Sequence, residues 1–476
     1  YDEAPYFSEY VRRAFEAKFY GPNDLYRDGY IIHTTLDLEY QRAAEAEVGE
    51  ARDQLNAVYR DVENRATVDA ERSLVPLAEL LGLTFSIDGL DITKETNQRD
   101  AFTLFEEKLM ESMEAVSLIL GDQFLYQVVS EYRLERRDEE SREDVEGALV
   151  TLDNENGYIL AMVGGSDFAS LSFNLAVDSR VSPGSSAKPL YYAAGIEAGT
   201  ITPSTMFYDS PAVFYSDINP PYTPENFLGA WSGPVSVRWA LSNSMNVPSI
   251  KVLELLGLER AIASIAALLG LEEKAGDRLS FPRVFPIGFG TFGTSPLQMA
   301  SAFAVFARSG KSIEPFAIRY IEDRNGTVFY DNEKEVLQAL SKRKNQLSPQ
   351  TAYVMTDLLQ STVTRGTLAR RVAEAGGLGP IPMAGKTGTT DNWSDAWTVG
   401  YSPFVTTAVW FGFVIPGNSL GRYQTGALAA GPVWVSYMKD IHEDLPYRDF
   451  PVPENGILTR QVCAISGLLP TEQCTE

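Results

Sequence analysis

The chain has 476 residues, of which 44% are hydrophobic and 22% charged, and its formal net charge at pH 7 is -24. This composition is ordinary for a folded globular protein, and the length allows about two to four domains. The negative charge repels nucleic acid, and no Lys/Arg cluster reverses it locally. The composition therefore argues against a fibrous, disordered or nucleic-acid-binding protein.

No secretory leader and no apolar run of about 18 residues is found, so we expect any membrane anchor to lie upstream. The sequence holds two histidines and two cysteines. So few ligands argue against a structural zinc site, and they favour lysine over histidine as the base for any serine chemistry. Cys463 and Cys474 both lie in the C-terminal tail, and a disulfide and two unpaired thiols both remain open.

The first 145 residues have a helical pattern after a short strand. A strand is predicted at residues 30–35, and Asp37 is placed to cap the helix that follows. Residues 38–145 show helical spacing that predicts three or four amphipathic helices, for example over 100–120. The charge run at 133–146 is interpreted as a solvated face or a linker.

From residue 146 onward the pattern predicts strands, then helices, then strands. A β-hairpin is predicted from 146–153 and 158–164, followed by a helix that starts near Ser185. Further helices are predicted at 235–241, 249–256, 259–269, 296–307 and 348–362, and strands at 382–390, 396–400 and 405–414. The simplest fold is α+β, an antiparallel sheet flanked by helices, with strands from both ends of the domain.

The first candidate for chemistry is Ser185, which precedes Lys188 by three residues. Pro183 and Gly184 break the chain, and Pro189 is tolerated only in the first turn of a helix. Ser185 is therefore expected at a helix start, with Lys188 on the same face. A serine hydroxyl needs an adjacent base, and a desolvated lysine can provide one. The same spacing occurs at Ser341–Lys344 and Ser436–Lys439, and we interpret the lysines of those two pairs as surface residues.

The second candidate is Ser244-Met245-Asn246, which is expected on a loop. There the hydroxyl can pass a proton and the amide can hold a peptide group, although an ordinary turn or helix cap also fits. The third is Lys386-Thr387-Gly388-Thr389, expected on a strand where Gly388 lets another backbone approach closely. An extended peptide could add along this strand, with Lys386 as a fixed positive charge for a carboxylate.

The three motifs occur in the order that serine penicillin-binding proteins and class A β-lactamases share. Other stretches also resemble the penicillin-binding proteins, among them residues 147–150, 161–165, 293–300, 348–353, 365–367 and 395–401. The chain therefore resembles the transpeptidase part of a class A, bifunctional penicillin-binding protein, over roughly residues 1–50 and 146–476. This resemblance implies a five-stranded penicillin-binding/β-lactamase-like sheet.

The resemblance also implies the chemistry. Ser185 would be the nucleophile, Lys188 its base, and Ser244 the proton donor to the leaving group. Asn246 would bind the substrate amide and also orient Lys188. Lys386, Thr387 and Thr389 would hold a terminal carboxylate, and the backbone N–H groups of Ser185 and Thr389 would form the oxyanion hole. The expected partners are peptidoglycan stem peptides and β-lactams, at the extracytoplasmic face of the membrane, with neither metal nor organic cofactor.

The resemblance divides the chain into a linker (1–51), an acidic helical insert (52–145), the transpeptidase domain (146–455) and a tail (456–476). The family's glycosyltransferase domain is expected to be absent, and the insert is a candidate for protein partners. A DD-carboxypeptidase or β-lactamase with the same site, and a non-catalytic sensor or wall scaffold, remain alternatives. Gly288-Phe289-Gly290-Thr291-Phe292-Gly293 fits a dinucleotide pattern but is interpreted as a structural loop, because Pro282 and Pro286 disfavour a strand before it.

Overall fold

The computed structural model describes residues 2–19, 24–60, 144–215, 221–271, 281–342, 345–415 and 418–471. The helices within these ranges are α1 (Pro5–Phe19), α2 (Leu38–Arg60), α3 (Lys188–Glu197), α4 (Val237–Ser242), α5 (Asn246–Leu256), α6 (Leu258–Leu268), α7 (Pro296–Ala307), α8 (Asn332–Lys342), α9 (Pro349–Arg365), α10 (Ala369–Glu374) and α11 (Ala430–Asp440). The strands are β1 (Ile31–Thr34), β2 (Glu146–Asp153), β3 (Ile159–Val163), β4 (Met206–Asp209), β5 (Gly233–Ser236), β6 (Ile318–Glu322), β7 (Val328–Asp331), β8 (Ala384–Thr389), β9 (Ala396–Tyr401) and β10 (Val405–Gly412).

The central sheet has five strands in the order β3-β2-β10-β9-β8, and every neighbouring pair is antiparallel. Its strands come from both ends of the domain, as the pattern predicts, so the α+β expectation is confirmed. Strand β10 pairs with β2 along its whole length, from Val405 opposite Asp153 to Gly412 opposite Glu146. Strand β8 lies at one edge of the sheet, so its outer side pairs with no other strand of the described residues.

Both faces of this sheet are buried. Along β10, Ala408 and Trp410 join a large core with α3, α7 and α9, whereas Val409 and Phe411 join a second core with α2 and α11. Alternate residues of one strand thus pack against different helical layers. This explains why the β10 sequence is apolar throughout rather than alternating.

Two smaller sheets accompany the main one. Strands β1, β6 and β7 form a three-stranded antiparallel sheet, and β4 pairs with β5 in a ribbon. The predicted strand near residue 30 corresponds to β1, and Asp37 Oδ1 accepts hydrogen bonds from the backbone N–H groups of Glu39 and Tyr40 at the start of α2. The predicted cap is therefore confirmed.

The N-terminal region differs from its sequence interpretation. Residues 5–19 form α1, which buries Tyr6, Phe7, Val11 and Phe15 along one face. Helix α2 continues to Arg60, so the predicted boundary between residues 51 and 52 falls inside a helix. The predicted helix over 100–120, the charge run before residue 144 and Cys474 lie outside the described residues. Within the described ranges no helix is both long and apolar enough to cross a bilayer.

Candidate active site

Ser185 lies in a short 3-10 helix, Gly184–Ala187, that runs directly into α3. Gly184 has φ +55°, a left-handed conformation that favours glycine. Pro189 occupies the first turn of α3, where its missing N–H removes no helical hydrogen bond. The predicted helix start is thus confirmed, with Lys188 as the first residue of α3.

Three glycines allow neighbouring backbones to pack tightly around this turn. A Cβ added at Gly184 would lie 2.5 Å from Thr389 O, and one at Gly388 would lie 2.2 Å from Pro183 O. One at Gly290, which has φ +78°, would lie 2.7 Å from both Gly184 N and Gly184 O. The close approach predicted at Gly388 is therefore observed, and the approaching backbone is that of the turn that carries Ser185.

The amine of Lys188 is fully buried and makes three hydrogen bonds. Its Nζ lies 2.8 Å from Ser244 O, 3.2 Å from Met245 O and 2.9 Å from Asn246 Oδ1. Burial lowers the pKa of Lys188 well below its ordinary value, and the neighbouring charge of Lys386 lowers it further. The three acceptors oppose this shift but do not remove the cost of burying the charge.

Ser244 lies in the loop between α4 and α5 and has φ +58°, a conformation uncommon outside glycine. Asn246 is the first residue of α5, so the predicted loop ends one residue before it. The Ser244 hydroxyl accepts a hydrogen bond from Lys386 Nζ at 2.8 Å. The second motif thus contacts both lysines. Its backbone carbonyls and Asn246 Oδ1 accept from Lys188, and Ser244 Oγ accepts from Lys386.

Lys386 is fully buried in β8, and its Nζ also donates to Thr387 O at 2.9 Å. Burial lowers the pKa of Lys386 to about 7. Its charge is therefore not fixed at neutral pH, which differs from the interpretation of this residue in the sequence. An anion bound nearby would raise the pKa again.

The two threonines of β8 have different partners. Thr387 Oγ1 lies 2.8 Å from Thr367 Oγ1, and Thr389 Oγ1 accepts from Gly426 N at 2.9 Å. Because the Thr389 hydroxyl accepts in that contact, its proton is available for another partner.

The three motifs converge, but one expected contact is not formed. Lys188, Ser244, Asn246 and Lys386 belong to one hydrogen-bonded group. Within the described part of the chain, the half-buried Ser185 hydroxyl makes no hydrogen bond, so the direct contact with Lys188 is absent. Catalytic hydrogen bonds often form only once a substrate is bound.

Several supporting residues escaped the sequence interpretation. Trp397 Nε1 donates to Ser182 O at 2.8 Å, and the Phe289 ring centre lies 5.2 Å from Lys188 Nζ. Thr367, in a stretch noted only for its resemblance, contacts the third motif. The Trp397 and Thr367 contacts join distant segments, and spacing along the chain does not reveal them.

The competing patterns have structural explanations where the structure describes them. The glycine-rich stretch begins at the end of a 3-10 helix, Phe285–Phe289, and Gly290 O accepts from Ser182 Oγ at 2.6 Å, so the stretch packs against the turn that carries Ser185. Ser436 donates to Glu47, and Lys439 is exposed and donates to Ala375 O, which agrees with its interpretation as a surface lysine. Lys344 lies outside the described residues.

A serine at a helix start, a buried lysine three residues on and an edge strand beside them form the arrangement that the three motifs predict. Residues 147–439 match the family model of the penicillin-binding protein transpeptidase domain. The chain belongs to this family, and the recognition made from its motifs is confirmed.

Curated relatives of the chain are longer proteins that share one name. The chain is 29% identical over 98% of its length to penicillin-binding protein 1A of Pseudomonas aeruginosa, and covers 62% of that protein. It is 32% identical over 95% of its length to penicillin-binding protein 1A of Neisseria gonorrhoeae, and covers 58% of it. The chain thus spans about six tenths of these relatives' length.

Solved structures show the same fold. Penicillin-binding protein 1A from Haemophilus influenzae superposes with a TM-score of 0.73 at 23% identity, covering 99% of this chain and 75% of that one. PonA1 of Mycobacterium tuberculosis, solved in complex with penicillin V, gives a TM-score of 0.64 at 20% identity, covering 95% of this chain and 96% of that one.

Proposed function

We propose that this chain is a serine DD-transpeptidase that cross-links peptidoglycan stem peptides through an acyl-enzyme on Ser185. The observation that carries the proposal is the buried amine of Lys188, whose pKa is lowered, one helical turn from Ser185 and bonded to the Ser244–Asn246 segment. A surface lysine would stay protonated and could not accept the serine proton.

In the first step, neutral Lys188 takes the proton of Ser185, and Ser185 Oγ attacks the penultimate carbonyl of a peptide ending in D-Ala-D-Ala. The backbone N–H groups of Ser185 and Thr389 stabilise the resulting oxyanion. The close packing of Gly184 against Thr389 supports this pairing. Each such donor is worth about 3–4 kcal/mol in comparable sites.

The tetrahedral intermediate collapses when its C–N bond breaks. Lys386 donates to Ser244 Oγ, so the Ser244 proton is free to pass to the departing D-Ala amine. The proton now on Lys188 can replace it. An amine from a second stem peptide then attacks the ester. The ester C–O bond breaks, a proton of the attacking amine passes to Ser185 Oγ, and the new amide is the cross-link.

The donor peptide is placed along the open edge of β8 in this proposal. Thr387 and Thr389 bind its terminal carboxylate, and the buried charge of Lys386 assists through the field rather than by surface contact. Gly388 keeps the strand close to Ser185. A β-lactam, which also has a carboxylate next to an acyl group, would acylate Ser185 in the same way.

The wider setting follows from the relatives and stays a proposal. We infer action at the extracytoplasmic face of the membrane, where peptidoglycan is built. The division into linker, insert, transpeptidase domain and tail is proposed with the first boundary moved to the end of α2. Partner binding through the insert is likewise proposed from its acidic composition alone.

The rival functions differ in what resolves the acyl-enzyme. We would incubate the full chain with a stem pentapeptide ending in D-Ala-D-Ala and an acceptor amine, and analyse the products by mass spectrometry. A cross-linked product with released D-Ala supports the transpeptidase. Release of D-Ala with only hydrolysed tetrapeptide indicates a carboxypeptidase, and no turnover at all indicates a sensor or scaffold.

A further inference from the structure

Asn226 lies outside the three motifs, yet its side chain caps the helix that begins with Asn246. Its carboxamide oxygen accepts from Asn246 N at 3.0 Å and from Val247 N at 3.2 Å. These are the first two N–H groups of α5, which lack acceptors within the helix. The N-cap residue Met245 supplies no side-chain hydrogen bond, so Asn226 caps α5 from another segment.

The orientation of Asn226 is fixed by Asp209, a carboxylate at the end of β4 that is 1% exposed. Asn226 Nδ2 donates to Asp209 Oδ1 at 2.7 Å, and Asp209 Oδ2 accepts from Ser232 N at 2.8 Å. Asn226 Nδ2 also donates to Ala230 O at 3.1 Å, and a carbonyl oxygen can only accept, so the amide nitrogen faces Asp209 and Ala230 while the amide oxygen faces α5.

The same segment also holds the side chain of Asn246. Asn246 Nδ2 donates to Glu225 O at 2.8 Å, while Asn246 Oδ1 accepts from Lys188 Nζ at 2.9 Å. A continuous series of hydrogen bonds therefore runs from Asp209 through Asn226 and Asn246 to the amine of Lys188.

We propose that Asn226, oriented by Asp209, is a positioning residue of this active site, which fixes Asn246 and through it the amine of Lys188. The inference rests on the proposed function. Asn226 touches no reacting atom, so its removal acts through Asn246. Loss of one acceptor destabilises the ammonium form of Lys188, so acylation is expected to slow and its pH midpoint to fall.

The test measures the rate of acylation by a fluorescent penicillin between about pH 6 and 10 on the full chain. Asn226→Ala is compared with Asn154→Ala. Asn154 is similarly buried, donates to Ser402 O and accepts from Thr406 Oγ1, but follows β2 in the turn to β3. We expect Asn226→Ala to acylate about ten- to a hundred-fold more slowly, with a lower pH midpoint. Asn154→Ala should lower only the melting temperature.

A swap of the two side chains separates positioning from general damage. Asn226→Asp alone places two carboxylates together and should acylate poorly. Asp209→Asn/Asn226→Asp restores a donor facing an acceptor, and the carboxylate introduced at position 226 would still offer an oxygen to Asn246 N. The bond from residue 226 to Ala230 O is lost in this variant, so partial recovery is expected. Recovery of acylation in the double variant supports the proposal.

The remaining outcomes overturn the proposal. If folded Asn226→Ala acylates at the native rate, or acylates more slowly with an unchanged pH midpoint, Asn226 does not position Lys188. Failure of the swap to recover any acylation does the same. If the native chain itself forms no acyl adduct, both the proposed function and this inference fail. If an adduct forms on Ser185 and the Asn226 variants acylate like the native chain, only the inference fails.

Discussion

The close contact between Gly388 and the turn that carries Ser185 leads to a prediction about Gly388→Ala. A Cβ at residue 388 would lie 2.2 Å from Pro183 O and 2.9 Å from Ser186 Oγ. Carbon and oxygen relax to about 3.3 Å, so Gly388→Ala must move β8 and the turn apart by about 1 Å. A displacement of this size at a reacting group is expected to slow acylation by about 10²-fold, and the overpacking to cost about 1–3 kcal/mol.

The assay is the acylation rate with a fluorescent penicillin, together with denaturant unfolding. Gly385→Ala is the matched control, because it adds the same methyl group to the same strand with its nearest contact at 3.2 Å, to Val399 O. We expect this control to acylate within a few-fold of the native rate. Equal acylation by the two variants, with equal stability, would refute the steric reasoning.

Three further predictions concern titration and packing. The pKa of Lys386 is about 7, so its positive charge is lost above that pH. The affinity of the initial complex with a carboxylate-bearing β-lactam should therefore fall above pH 7, by at most about tenfold per pH unit. Stopped-flow measurements check this, and Lys386→Met should abolish the dependence. Burial lowers the pKa of His442 from 6.5 to about 4, so on acidification the unfolded chain takes up this proton before the folded chain does. The free energy of unfolding should therefore fall by up to about 3 kcal/mol as the pH drops from 6.5 to 4. Urea titrations of the native chain and of His442→Asn test this, and equal acid sensitivity of the two would contradict it. Trp397→Phe leaves Ser182 O without its donor and should cost about 1–3 kcal/mol and slow acylation, whereas unchanged values would show that the bond is dispensable.

Much of the fold is accessible from the sequence because strand patterns and turn residues act locally. The main-sheet strands and most helices of the transpeptidase region are predicted within a few residues, and α7 and β2 are predicted with their observed bounds. Ser185 is correctly predicted at a helix start, Ser244 on a loop and Lys386 on a strand, whereas Asn246 is the first residue of α5 rather than part of the loop. The order of the strands in the sheet is not predictable in this way, since it depends on long-range pairing.

Other features are missed although a local signal exists. Helix α1 has Pro5 in its first turn and apolar residues at Phe7, Val11 and Phe15, a four-residue spacing typical of one helical face. Strands β6 and β7 flank Asn325-Gly326, a common hairpin turn. By contrast, nothing in the spacing joins Asn226 to Asn246 or Gly290 to Gly184, because those contacts exist only after the chain has folded.

We propose Ser185 as the acylated nucleophile. Intact-mass spectrometry after incubation with benzylpenicillin, on the native chain, Ser185→Ala and Ser186→Ala, tests it most directly. Ser186 is the neighbouring serine, buried with its hydroxyl donating to Pro183 O, so its variant is the matched control. We expect one stable adduct on the native chain and on Ser186→Ala, and none on Ser185→Ala. Folded native protein that forms no adduct and leaves the drug intact would contradict it, and an adduct retained by Ser185→Ala would place the nucleophile elsewhere.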